Sequence, residues 1–151
     1  MTTFALPADL IFNRQKLADP AGFARDHAAA SWLYLNGEEF AAMEGGMSFA
    51  QVQAAVAHAA NVVTDPPRVL DLPLARQHVA ALDALPRPTL ITCRAGPRAS
   101  AVAYMYAGLR AGTDAGEVIA IARRDGAPFC AFDDYVQWVQ ETIETLRREA
   151  P

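Results

Sequence analysis

Thr89-Leu-Ile-Thr-Cys-Arg-Ala-Gly-Pro-Arg-Ala-Ser100 is the stretch whose reading decides the fold. Its first four residues, Thr89 to Thr92, are uncharged and suit a strand in the middle of a parallel sheet. From Arg98 to about Ala111 apolar residues recur as Val102, Met105, Tyr106 and Leu109, the spacing of a buried helical stripe, and Gly112 stops it. Cys93 therefore stands between a strand end and a helix start.

Upstream, strands and helices alternate. Leu10 to Phe12 reads as a short strand, and Asp19-Pro20 opens a helix through Phe23, Ala24 and His27. Ser31 to Leu35 is the next strand, closed by Asn36-Gly37; a loop containing Gly45-Gly46 leads to the capping box Ser48-Phe-Ala-Gln51 and a helix carrying Val52, Ala55, Val56 and Ala59. Asn61 to Thr64 resumes as a strand that Asp65-Pro66-Pro67 stops, and a helix from about Leu74 to Leu85 ends before Pro86 and Pro88. Downstream, Asp114 and Glu117 cap a helix with Val118, Ile119, Ile121 and Ala122. Beyond Gly126 and Pro128, a last amphipathic helix starts at Asp133 or Asp134 and carries Tyr135, Val139, Ile143 and Leu146. This alternation predicts an α/β domain with a mainly parallel sheet covered on both faces, whose ligands bind at the carboxyl ends of the strands.

The 151 residues, 52% hydrophobic and 20% charged, fit one domain over 1–151. Net charge is −4, and the 13 basic residues, one of them lysine, are dispersed, which argues against nucleic acid and membrane surfaces as partners. The N-terminus lacks a basic segment followed by an apolar run, so a cytoplasmic location is expected, where Cys93 and Cys130 stay reduced.

The loop carries the chemistry. Backbone N–H groups at a helix start lack intrahelical partners, and the helix dipole adds to their preference for an anion. A cysteine in that setting is favoured as the thiolate, its nucleophilic form. Gly96 permits the positive φ or close approach that a curled loop needs, and Arg98 offers a planar fork for two oxygens of an oxyanion. Arg94, Ala95, Gly96, Pro97 and Ala99 complete the expected anion cradle, with Arg94 either raising its positive potential or facing solvent. The expected substrate is a small phosphorylated or sulfur-bearing anion.

Cys93-Arg-Ala-Gly96-Pro-Arg98-Ala-Ser100 resembles the signature loop of cysteine-based phosphatases of dual-specificity type. The wider pattern, from Leu10 to near Arg124, resembles the bacterial phosphatase-like domain of beta-lactamase-hydrolase-like proteins, known as domain of unknown function 442. The resemblance implies a three-layer fold with a central sheet of four or five strands and a thiophosphate intermediate on Cys93. It also implies a hydroxyl at Ser100 that stabilises the leaving thiolate, and a general acid at Asp65, twenty-eight residues before Cys93. Two departures keep a second chemistry open. Thr92 replaces the histidine that precedes the phosphatase cysteine, and Arg98 follows Cys93 by five positions rather than six, the count of rhodanese-type sulfurtransferases. A shorter ring of amides suits a persulfide sulfur, a longer one a phosphoryl group, and a weakly catalytic anion-binding module is the third option.

Each residue also has a structural alternative. Asp65 suits a turn before prolines as well as it suits an acid, and Asp71 is a fallback acid that helix capping near Pro73 explains well. Cys130 is expected in the core. His27, His58 and His78 fall in expected helices without ligand spacing, so neither a metal nor another cofactor is expected. Trp32, Tyr104, Tyr106 and Trp138 read as core residues.

Overall fold

The computed structural model describes residues 4–43, 47–66 and 68–149; Gly45-Gly46 and Pro67 of the sequence reading lie outside them. Four strands, β1 (Leu10–Phe12), β2 (Ser31–Tyr34), β3 (His58–Asn61) and β4 (Thr89–Thr92), form one wholly parallel sheet in the order β1-β4-β2-β3. The helices are α1 (Pro20–Asp26), α2 (Phe49–Ala55), α3 (Leu72–Ala84), α4 (Pro97–Ala111), α5 (Ala115–Arg124) and α6 (Asp133–Glu149). The expected α/β architecture is therefore present, with four strands.

Strand alternation sorts the side chains into two cores. Trp32, Tyr34 and Leu90 face α1 and α2 together with Ala24 and Val52, while Leu33, Leu35 and Ile91 face α3, α4, α5 and α6. Helix α4 is buried without interruption from Ala99 to Gly108 rather than along one stripe, because sheet, α5 and α6 surround it. The expected caps form: Asp19, Ser48, Asp71 and Asp114 each accept a backbone N–H at the start of a helix.

Helix α3 starts at Leu72 rather than near Leu74, and a larger difference lies between α2 and β3. The helix expected through Ala59 ends at Ala55, and the strand expected from Asn61 begins at His58, so His58 is an exposed strand residue. Alanine at 57, 59 and 60 favours a helix locally, but pairing of Ser31 to Tyr34 with His58 to Asn61 overrides that preference. The extended path then continues to Thr64, whose N–H donates to Leu35 O at 2.8 Å.

Candidate active site

Strand β4 delivers Cys93 to the carboxyl edge of the sheet, between the ends of β1 and β2. The thiol continues the Ile91 side of the strand and is buried. Its Sγ accepts the Gly96 N–H at 3.2 Å and the Ala99 N–H at 3.3 Å. Both amides belong to the first turn of α4, where no intrahelical carbonyl is available, and Pro97 between them has no N–H to leave unpaired. Gly96 has φ +113°, and a Cβ there would collide with the Asn13 carbonyl oxygen, so two separate constraints select glycine.

Arg98 stacks its guanidinium over the Tyr135 ring at 5.5 Å, and its Nε–H is buried without an acceptor. An unsatisfied buried donor costs about 1–3 kcal/mol, which a bound anion would remove. Around the ring Ala95 is exposed, Arg94 and Pro97 are half-buried, and Ala99 is buried. Ser100 is buried too, but its hydroxyl donates to Pro97 O at 3.1 Å and accepts the Phe129 N–H at 3.1 Å. It ties the short 3-10 turn Pro128–Ala131 to α4, and its proton is directed at a carbonyl rather than at sulfur. Thr92 Oγ1 accepts the Trp32 indole N–H at 2.8 Å on the opposite face of the sheet.

Asp65 follows the extended segment after β3 and is 2% exposed. Oδ1 accepts from Asn36 Nδ2 at 2.8 Å, and Oδ2 accepts the Gly37 N–H at 2.7 Å. Burial raises the carboxyl above the ordinary carboxylate range; the two donors and the charge of Arg98 only partly oppose it. Tyr34, raised chiefly by burial, senses the charges of both Asp65 and Cys93. Asp65 thus feels the charge of Arg98, and its partner Asn36 follows β2, the strand that pairs with the β4 that carries Cys93. Asp71 is engaged elsewhere, capping Leu74 N–H at 2.9 Å and pairing with Arg68 at 2.9 Å.

Sequence reasoning missed four residues that build this edge. Asn13 bonds both backbone groups of Cys93 and Asn36 bonds Asp65. His78 Nε2 meets Thr64 Oγ1 at 2.9 Å beside Asp65, and burial holds this imidazole at a pKa of about 3, hence neutral. Trp138 packs at a near-perpendicular angle on His78 and donates Nε1–H to Asp71 O at 3.0 Å. The only available signal was position, since Asn13 and Asn36 each follow a strand at the ligand edge of the sheet. Cys130 is a free, half-buried thiol packed against the larger core. Among the described residues, no cluster of three or more His, Cys, Asp or Glu is placed to hold a metal, and no helix is long and apolar enough to cross a membrane.

No family model and no curated protein matches the chain, so the resemblance to the bacterial domain rests on its sequence pattern. Solved structures do match. A putative phosphatase from Neisseria meningitidis has a TM-score of 0.65 at 18% identity, covering 89% of this chain and 96% of its own. PTPMT1 has a TM-score of 0.65 at 13% identity, covering 95% of each chain. The core catalytic domain of the PP-IP phosphatase SIW14 from S. cerevisiae, in complex with citrate, has a TM-score of 0.60 at 14% identity, covering 97% of this chain and 90% of its own. At such identities the likeness is one of fold: the chain has the α/β fold of these phosphatases over nearly its whole length.

Proposed function

We propose that the chain is a cysteine-dependent phosphomonoesterase with Cys93 as nucleophile. The observation that carries this reading is that Sγ accepts the Gly96 and Ala99 N–H groups at the start of the helix bearing Arg98, whose charge acts on a buried Asp65. Sγ attacks phosphorus, the P–O ester bond breaks, and the departing ester oxygen takes the proton of Asp65. Water then attacks the thiophosphate and gives its proton to Asp65 while the S–P bond breaks, returning the thiolate and releasing phosphate. Arg98 holds two phosphoryl oxygens throughout.

The rim narrows the substrate. Phe132, 48% exposed, lies 5.2 Å from the Tyr135 ring that backs Arg98, and Asp133 and Asp134 between them are exposed. An apolar, acidic rim suits an uncharged aromatic leaving group better than a polyphosphorylated one. Hydrolysis of naphthyl phosphate is expected, lost in Cys93→Ser, with inositol hexakisphosphate a poor substrate. Unchanged hydrolysis in Cys93→Ser would refute the reading.

The five-position spacing from Cys93 to Arg98 favours one alternative, a sulfurtransferase carrying a persulfide on Cys93. Thiosulfate with cyanide as acceptor would then yield thiocyanate, and a persulfide of Cys93 would appear by mass spectrometry. Tight phosphate binding without turnover in either assay would instead select an anion-binding module.

A further inference from the structure

Asn13 is the first residue beyond β1, 2% exposed, and its carboxamide is directed at the nucleophile's own backbone. Nδ2 donates to Cys93 O at 2.8 Å and to Gln15 O at 3.0 Å, while Oδ1 accepts the Cys93 N–H at 3.2 Å. Strands β1 and β4 pair only as far as Phe12 with Ile91. Beyond that point the carboxamide replaces the missing peptide group, offering Cys93 one acceptor and one donor as a neighbouring strand would. These two partners also fix the orientation of the amide. The main-chain carbonyl of the same residue packs against Gly96, so Asn13 touches both ends of the turn from Cys93 to Gly96.

We propose that Asn13 is a positioning residue that sets the nucleophile. It keeps the Cys93 peptide in strand register while the chain turns sharply after it, and this register places Sγ under the two amides of α4. The same bonds withdraw the N–H and C=O of Cys93 from the ring, so the cradle is built from the groups that follow. For catalysis the inference rests on the phosphatase reading; for thiol reactivity it does not.

The test separates the two. Alkylation of Cys93 by anionic iodoacetate and neutral iodoacetamide is followed by peptide mass spectrometry in the full chain, with Cys130 as internal control. In Asn13→Ala, Cys93 carboxymethylation by iodoacetate is expected to fall about tenfold or more, since a sulfur displaced from the Gly96 and Ala99 amides loses the donors that favour its reactive thiolate. Cys130 alkylation stays unchanged. On naphthyl phosphate kcat is expected to fall about tenfold with KM within about twofold, the pattern of a misplaced nucleophile rather than weakened binding. Asn13→Asp keeps the size and the acceptor for Cys93 N–H, removes the donor and adds an anion, and is expected to be at least as slow. Should Asn13→Ala fail to fold, Asn13→Asp decides. Wild-type alkylation by both reagents in folded Asn13→Asp overturns the proposal. Slowed alkylation in a chain with no phosphatase activity sustains it and overturns the phosphatase reading alone.

Discussion

At the scale of single residues, Asp65 has both carboxylate oxygens occupied by donors. The Gly37 N–H is part of the backbone and stays on Oδ2, so a proton on this carboxyl belongs on Oδ1, where the Asn36 amide must turn away for it to be donated. Asn36 lowers the Asp65 pKa, and an acid must be protonated to act. Asn36→Leu is therefore expected to shift the alkaline limb of the kcat profile to higher pH, measured with naphthyl phosphate. Asp65→Asn is expected to lower kcat by about 10²–10⁴ and to remove that limb. Cys93, Gly96 and Arg98 were legible because their signal is local: strand, turn and helix lie within one short run. Asn13 and Asn36 were not, because their partners lie 80 and 29 positions away and an isolated asparagine after a strand looks like any turn residue.

At the scale of elements, α4 carries the strictest requirements. Gly96→Ala places a Cβ against Asn13 O at a positive φ and is expected to cost about 1–3 kcal/mol, read as a lowered Tm together with slowed Cys93 alkylation. Gly108 makes the contact with α5: a Cβ there would lie 2.5 Å from Val118 Cγ2. Gly108→Ala is expected to destabilise by about 1–3 kcal/mol through overpacking, and Gly108→Ala/Val118→Ala to lose less than the sum of its parts in denaturant titrations. Equal additivity would show that the two helices do not meet there. Helix starts were read correctly where Asp19, Ser48 and Asp114 marked them, while α3 begins two residues before the expected Leu74, directly after its cap Asp71. The end of α2 was misread because nothing within Ala57 to Ala60 announces the pairing with β2 that makes it a strand.

At the scale of the whole molecule, the alternation of strands and helices conveyed the parallel sheet, but its order conveys more than the sequence could. The β1-β4-β2-β3 arrangement puts β4 inside the sheet between β1 and β2, with Asn13 on one side of Cys93 and Asn36 on the other. The buried His78 also links stability to pH. Its pKa is about 3 when folded and 6.5 as the ordinary value, so the unfolded chain takes up a proton that the folded one refuses. Stability from this residue is complete above pH 6.5 and declines as pH falls toward 3, by up to about 1.4 kcal/mol per pH unit. His78→Leu is expected to flatten that slope in denaturant titrations at several pH values. Asp65 runs the other way, since a raised carboxyl contributes stability that is lost as pH climbs through its folded pKa.

The bond from Trp138 to Asp71 O gives the molecule an optical property. The indole bonds the carbonyl of Asp71, the residue that caps α3, and meets the His78 ring at a near-perpendicular angle, while Trp32 sits sealed in the opposite core. A shift in emission surviving Trp32→Phe therefore reports on the surroundings of Asp71 and His78, so the chain carries its own fluorescent gauge of the start of α3 and needs no attached dye.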